Sequence, residues 1–388
     1  MHRNLLRFVS CFLLVILLSC SIVIPIYSKD IKISAKSAIL MDAETGQILY
    51  EKDINQKLPP ASTTKILTAI IALESGRLDE IVTVSHSAAS TKGSTLHLYS
   101  GQMISLRELI TGLLLRSGND AAEAIAEHLA GSVENFAVLM NTKATLLGAK
   151  NSNFINPHGL PENDHLTTTL DLAIITRYAL SNSEFSQIVS TKETDIKWVD
   201  ESGQIKEGSI RNTNKLLWMM PIADGVKTGT TSAAGPCLVA SAKKNGQRLI
   251  AVVLNDRSRW RDSFNLLQYG FQNFECIEFS PEGAVISTIP VKKGMSPMLN
   301  IITNEKASVT IKKEDYPFLK TDMNLPEEII APIYKGQKIG ELTFYLHDKN
   351  IRTVDLVADK DIAERSLKNL FLENIMILSR KLSQIGIL

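Results

Sequence analysis

Pro60-Ala61-Ser62-Thr63-Thr64-Lys65-Ile66-Leu67-Thr68-Ala69-Ile70-Ile71-Ala72-Leu73-Glu74 is the stretch on which the fold turns. From Ser62 to Glu74 the apolar residues Ile66, Leu67, Ala69, Ile70, Ile71 and Leu73 leave no polar face, and Gly76 ends the run. A helix that is apolar all round belongs in a protein interior, and Pro59-Pro60 breaks the chain just ahead of it. The reading predicts a core helix whose first turn sets Ser62 and Lys65 on one face, within hydrogen-bond reach.

On the N-terminal side, Ser37 to Asp53 alternates apolar and polar residues around Asp42-Ala43-Glu44-Thr45-Gly46, the pattern of a β-hairpin. On the C-terminal side, Leu106 to Leu115 and Ala121 to Leu129 read as helices separated by Arg116-Ser117-Gly118-Asn119-Asp120. Asp120 and Glu123 are spaced as a capping pair, which puts Ser117 and Asn119 on an interhelical turn. Val133 to Leu147 and Leu170 to Leu180 continue the helical period. From Lys227 the style changes to strands, Pro236 to Ala242 and Gln247 to Leu254, joined by the hairpin signal Lys244-Asn245-Gly246. Beyond Cys276 short alternating stretches broken by Gly294, Pro297, Pro326 and Gly336 predict a small all-β module. Residues 363–388 gather Leu367, Leu370, Phe371, Ile375, Leu378, Leu382 and Ile385 on one helical face, with Arg365, Lys368, Arg380 and Lys381 elsewhere, an amphipathic tail suited to a membrane surface.

At the other end Arg3 and Arg7 precede an apolar run from Phe8 to Ile26, and Ser28 offers a small residue before Lys29. Residues 1–28 read as an export signal, with an uncleaved anchor as the rival, and either places the remainder outside the cytoplasm. The chain of 388 residues, 44% hydrophobic, has room for two ordinary domains. Its 42 Lys and Arg nearly balance 41 Asp and Glu, so no summed field points to nucleic acid. Of four cysteines, Cys11 and Cys20 fall in the signal, and Cys237 with Cys276 makes no disulfide framework. The seven histidines form no His-Glu-x-x-His and no tight cluster with cysteine, which argues against a zinc peptidase.

Ser62-x-x-Lys65 has a chemical logic beyond its spacing. An ammonium on a buried first turn meets both desolvation and the positive end of the helix dipole, which lower its pKa. A neutral lysine amine is a competent base for a serine hydroxyl, a second cation at Lys227 would push the same way if the fold brings it close, and the helix N-terminus can offer the Ser62 N–H to a developing oxyanion. The spacing alone recurs at Ser241-x-x-Lys244, and Ser117-x-Asn119 at Ser263-x-Asn265. Lys227-Thr228-Gly229 is more specific: Lys227 and Thr228 suit a carboxylate, and Gly229 leaves room for a substrate against the strand.

Together Ser62-x-x-Lys65, Ser117-x-Asn119 and Lys227-Thr228-Gly229 match the signature of serine β-lactamases and penicillin-binding proteins. The longer strings Pro60-Ala61-Ser62-Thr63-Thr64-Lys65, Arg116 to Ala122, Asn156-Pro157-His158-Gly159-Leu160 and Asp224 to Gly229 closely resemble the low-molecular-weight D-alanyl-D-alanine carboxypeptidases. Ala331-Pro332-Ile333, Lys335-Gly336-Gln337 and Ile339-Gly340 resemble that family's β-rich C-terminal domain, and the tail its membrane anchor. The resemblance implies Ser62 as acyl-ester nucleophile, Lys65 as proton acceptor, Ser117 as relay, Asn119 as a substrate amide contact, and Lys227 with Thr228 as the terminal carboxylate site. Thr230 would supply the second oxyanion N–H, at a position where many relatives carry an aromatic residue or histidine. Arg248 is either a support for the carboxylate or an ordinary arginine of a surface hairpin, and His158 is expected to shape a loop.

The implied fold is α+β, a penicillin-binding/β-lactamase-like catalytic domain (29–274) with an antiparallel sheet, flanking helices and a helical part. A β-rich domain (275–362) and an amphipathic helix (363–388) follow. The implied function is removal of the terminal D-alanine from peptidoglycan stem peptides ending in D-Ala-D-Ala, with β-lactams as covalent inhibitors, no metal or organic cofactor, and a peripheral location on the outer face of the cytoplasmic membrane. The alternatives are a serine β-lactamase, an endopeptidase or transpeptidase, and a catalytically silent peptidoglycan-binding protein. Between Asn119 and Lys227 no glutamate is followed four residues later by asparagine, so the water-activating pair of a class A β-lactamase is missing from the sequence.

Overall fold

The computed structural model describes residues 31–200 and 202–366. The expected export signal and residues 367–388 of the expected tail helix lie outside the described residues.

The predicted hairpin forms β1 (Ser37–Asp42) and β2 (Ile48–Lys52). The three strands after the helical region are β3 (Ala223–Thr231), β4 (Gly235–Lys244) and β5 (Gln247–Leu254). Both ends of the domain meet in one antiparallel sheet of order β2-β1-β5-β4-β3, with Ala38 opposite Val253, Val239 opposite Val252 and Lys227 opposite Val239. Every residue of β1 is buried, as expected of a strand covered on both faces.

The helices of eight or more residues among the described ones are α1 (Lys65–Leu73), α2 (Leu106–Leu115), α3 (Asn119–Ala130), α4 (Val133–Leu146), α5 (Thr169–Ser181), α6 (Ser183–Ser190) and α7 (Arg259–Asn273). Polar caps start four of them: Ser105, Ser132, Thr168 and Asn182 each accept a first-turn backbone N–H. α1 is packed by α2, α3, α4, α5 and α6, with Ile66, Leu67 and Ile70 at most 1% exposed, which is where an all-apolar helix is stable. α5 and α7 both pack on β5. Helix α7 is polar in composition and was not expected; its buried Ser263, Leu266, Leu267 and Gly270 recur at helical spacing against the sheet.

The core helix starts later than the sequence suggests. Ala61–Thr64 forms a 3-10 turn and α-geometry begins only at Lys65. Asp120 and Glu123 do not form the expected capping pair. The Asp120 carboxylate instead accepts the backbone N–H groups of Leu96 (2.9 and 3.0 Å) and Leu98 (3.1 Å), and Glu123 accepts the hydroxyls of Ser87 (2.6 Å) and Thr91 (2.5 Å). Both acids tie the 87–98 segment down onto α3.

The all-β module is present. A six-stranded sheet runs Leu319–Asn324, Lys338–Leu346, Lys349–Ala358, Met298–Thr303, Val285–Lys292 and Ile329–Ile330, and Phe274–Ser280 pairs with Ala307–Lys312. Leu299, Ile301, Val309, Phe344, Val354 and Leu356 form its own core. α7 passes into the first of these strands without a break, and Gln47 Oε1 accepts Thr310 N–H at 2.5 Å, a polar seam to the catalytic hairpin. Residues 363–366 are extended, with Glu364 bridging Gly294, so the expected tail helix does not begin at Ala363. Among the described residues no helix is long and apolar enough to cross a membrane, and Cys237 and Cys276 are both free.

Candidate active site

The Ser62 turn lies where α1 meets the edge strand β3. Ala61 has φ +50°, a left-handed conformation that a residue with a Cβ adopts only when its neighbours hold it there. Thr63 Oγ1 donates to Pro60 O at 2.8 Å, and Thr64 Oγ1 donates to Ala61 O at 2.9 Å. The turn is stitched to itself on the side away from the hydroxyl of Ser62.

Lys65 is fully buried, and its Nζ lies 3.0 Å from Ser62 Oγ, 2.7 Å from Asn119 Oδ1 and 2.7 Å from His158 O. Burial first, and then the charge of Lys227, hold its pKa well below the usual lysine value, against a smaller opposing pull from Asp120. The neutral amine has two hydrogens and one lone pair. Asn119 Oδ1 and His158 O can only accept, so they take both hydrogens and leave the lone pair facing the Ser62 hydroxyl. Asn119 Nδ2 donates to Lys92 O at 2.6 Å, which agrees with that orientation of the amide.

Ser117 and Asn119 arrive together between α2 and α3, Asn119 as the first residue of α3. Ser117 is 6% exposed with φ +66°, and among the described residues its hydroxyl bonds neither Ser62 nor Lys65. Asn156 Oδ1 accepts Gly159 N–H at 2.7 Å, and Pro157 O accepts Thr68 Oγ1 at 2.6 Å, so the Asn156-to-Leu160 string is a loop docked on α1. His158 serves this loop as expected: its Nδ1 accepts Leu160 N–H at 3.2 Å while its carbonyl holds Lys65. Burial, and secondarily Lys65, push the His158 pKa down to about 3.

On β3, Lys227 and Gly229 share one face of the strand. A Cβ at Gly229 would lie 2.8 Å from Ser62 N and 3.0 Å from Ala61 Cβ. The glycine therefore makes room for the Ser62 turn, a different reason from the substrate clearance the sequence suggested. Lys227 is 1% exposed, and its one protein hydrogen bond among the described residues is a 3.3 Å contact to Thr228 O. Burial, and then Arg259, push its pKa down to about 7. Thr228 Oγ1 lies 3.1 Å from Thr213 Oγ1.

Arg248 is not part of this site. Its Nε donates to Asp224 Oδ2 at 2.9 Å and its Nη1 reaches Leu180 O and Ser186 Oγ, bracing the start of β3 against α6. Ser241, in the second Ser-x-x-Lys, donates to Asp224 Oδ1 at 2.6 Å in the same brace. The cation at the strand is Arg259, from the first turn of α7. Its Nη1 donates to Gly229 O and Thr230 Oγ1, both at 2.7 Å, and Thr230 Oγ1 donates to Gly229 O at 2.7 Å. No motif marks Arg259 in the sequence, because only the packing of α7 on the sheet carries it there. Beside the Ser117 turn opens a groove of about 430 Å³ lined by Thr95, His97, Arg116, Trp198 and Arg211.

Residues 25–258 match the family described as D-alanyl-D-alanine carboxypeptidase, and residues 274–364 match the penicillin-binding protein 5 C-terminal domain. The chain is 36% identical over 338 residues to the D-alanyl-D-alanine carboxypeptidase DacF of Bacillus subtilis, a match spanning 84% of this chain and 86% of that protein. It is 35% identical over 348 residues to DacC of Escherichia coli, spanning 86% and 85%. Among solved structures it is similar to penicillin binding protein 5 from Haemophilus influenzae, with TM-score 0.75, 34% identity, and coverage of 86% of this chain and 99% of that one.

Gly229→Ala is expected to slow acylation of Ser62 by a labelled penicillin about 100-fold, the scale of losing one oxyanion donor, because the new Cβ displaces Ser62 N–H; an acylation rate equal to wild type would exclude that role for the glycine. The titrations give a second expectation. With Lys65 as the base and Lys227 as the anion site that the sequence implies, kcat/KM is expected to rise with pH through the lowered pKa of Lys65 and to fall as pH passes about 7, where Lys227 loses its charge. Lys227→Arg, which stays charged, should move that alkaline limb upward in a pH profile of D-alanine release.

Proposed function

The chain belongs to the D-alanyl-D-alanine carboxypeptidase family, and from that premise we propose how its own residues carry the reaction. Its activity is serine-type hydrolysis that removes the terminal D-alanine of peptidoglycan stem peptides through an acyl-enzyme, with β-lactams trapping the same serine. A β-lactamase and a silent binding protein are both disfavoured, the former by the family match and the missing glutamate-asparagine pair, the latter by an intact nucleophile and base.

The observation that carries the assignment of roles is the Lys65 Nζ lying between two acceptor-only oxygens, Asn119 Oδ1 and His158 O, and Ser62 Oγ. In our reading its lone pair takes the Ser62 proton as Oγ attacks the penultimate D-Ala carbonyl. The oxyanion forms between the N–H groups of Ser62 and Thr230. Protonation of the leaving amine, with Ser117 as relay, releases D-alanine, and water then attacks the ester with Lys65 as base.

Substrate orientation follows from charge. Lys227 is buried with no carboxylate beside it among the described residues, so its charged form is disfavoured until a counter-ion arrives. The terminal carboxylate supplies that counter-ion, aided by the Thr228 hydroxyl and the positive charge of Arg259. Asn119 contacts the substrate amide, Gly229 keeps the strand close to Ser62, and the groove beside Ser117 takes the remainder of the stem peptide. We place the first two domain divisions at 28/29 and 274/275, and extend the β domain past the sequence-based bound of 362 to at least Glu364, which bridges Gly294. The membrane-surface tail, the export signal and a peripheral place on the outer face of the cytoplasmic membrane rest on the sequence pattern of the two termini.

Purified protein should release D-alanine from a D-Ala-D-Ala peptide with steady turnover, and excess penicillin should give one equivalent of ring opening followed by slow release. Ser62→Ala should abolish both, whereas a label that maps to Ser241, or sustained penicillin hydrolysis without D-alanine release, would overturn the reading. Deleting Ser366–Leu388 from signal-cleaved protein should move it from membrane to soluble fractions with activity intact; a truncated protein that still sediments with membranes would show that the tail is not the anchor.

A further inference from the structure

Behind the Ser62 turn a chain of hydrogen bonds runs in one direction. Ile155 N–H donates to His165 Nδ1 at 3.0 Å, and a backbone amide can only donate there, so Nδ1 is the bare nitrogen and Nε2 carries the hydrogen. Nε2 lies 3.0 Å from Thr64 Oγ1 and so donates to it. The proton of Thr64 is then free to go to Ala61 O, 2.9 Å away. His165 is 2% exposed, and burial followed by the charge of Lys65 pushes its pKa down to about 4, so this neutral tautomer persists at physiological pH.

The chain ends on the carbonyl of the one peptide whose other half is the Ser62 N–H. A peptide is planar and trans, with C=O and N–H pointing opposite ways, so whatever holds Ala61 O also aims Ser62 N–H. On the carbonyl side a Cβ at Gly159 would fall 1.9 Å from Ala61 O; on the amide side a Cβ at Gly229 would fall 2.8 Å from Ser62 N. The peptide is a plate held between the His158-Gly159 loop and β3. The left-handed φ of Ala61 is a strained conformation that the contacts on both sides of the plate must maintain. A hydrogen bond to the carbonyl also polarises the peptide and strengthens its N–H as a donor.

We propose that His165 and Thr64 are positioning residues for oxyanion stabilisation, a buried imidazole-to-hydroxyl-to-carbonyl relay that fixes the Ala61–Ser62 peptide plane and keeps Ser62 N–H aimed at the reacting carbonyl oxygen. The proposal rests on Ser62 being the acylated nucleophile. Neither side chain touches the substrate; both act through one backbone group.

The test uses Thr64→Val, which keeps the shape and removes the hydroxyl. It should lower kcat for D-alanine release and the rate of penicillin acylation about 10- to 100-fold, the lower part of the range for weakening an oxyanion donor, with KM nearly unchanged. A D-alanine-like boronic acid, whose tetrahedral adduct places an oxygen where the oxyanion develops, should lose affinity in the same proportion. Thr64→Ser should restore both. His165→Leu should show a similar loss, and the double variant Thr64→Val/His165→Leu no greater one, because both act through the same carbonyl. Wild-type acylation and boronate affinity in Thr64→Val, an equal loss in the Val and Ser variants, or losses that add in the double variant would each overturn the proposal. If Thr64→Val does not fold, Thr64→Ala is read the same way. Penicillin labelling that survives in Ser62→Ala would overturn the nucleophile assignment itself, a result separate from any Thr64 outcome.

Discussion

A lysine amine buried at the head of the core helix sets the terms for everything around it. In the interior an ammonium without partners is costly, and the protein meets that cost at Lys65 by favouring the neutral amine and by supplying two oxygen acceptors. Those acceptors come from different parts of the chain: Asn119 opens α3, and His158 sits on a loop that returns to α1 after α4. Each must be delivered to within about a hydrogen bond's length. The buried Asp120 and the half-buried Glu123 tie the 87–98 segment to α3, and Asn156 shapes the loop that presents the His158 carbonyl. Much of the helical lobe's polar interior thus serves to hold one nitrogen.

A second constraint is close approach of backbone to backbone. The Ser62 turn lies between a loop and a strand, and at both contacts the sequence has glycine, because a single added carbon would fall on Ala61 O at Gly159 or on Ser62 N at Gly229. Two non-glycine residues of the site, Ala61 and Ser117, have positive φ. Strain of this kind survives only where surrounding contacts over-determine the backbone, and it collects where a particular N–H or hydroxyl has to point one way.

The edge strand divides its cations by task. Arg248 and Ser241 grip Asp224 and hold the beginning of β3 in place, while Arg259 reaches over from α7 to the far end at Gly229 and Thr230. Lys227 between them has no acidic partner among the described residues and a lowered pKa, which suits the anion-binding role proposed for it. The β module has its own core and touches the catalytic hairpin through polar contacts such as Gln47 with Thr310, away from the Ser62 turn.

By itself the sequence determined the core helix, the strand-bounded helical domain, the β module and the three motifs that hold Ser62, Lys65, Ser117, Asn119 and Lys227. These are local matters: hydrophobic period, turn residues and short spacings record which face a segment buries and which side chains lie one turn apart. Tertiary structure alone decided the rest. Arg248 and Arg259 look alike in the sequence, and only the pairing of β5 with β4 and the packing of α7 on the sheet assign one to Asp224 and the other to the strand end. Asp120 and Glu123 have capping spacing, yet the unpaired amides and hydroxyls of a neighbouring segment claim them. His165 and Thr64 carry no motif that names their pairing, since a hydrogen bond between residues 101 positions apart has no local signature. A side chain's reach is recorded in its neighbours along the chain, but its partner is chosen by which segments the fold brings together.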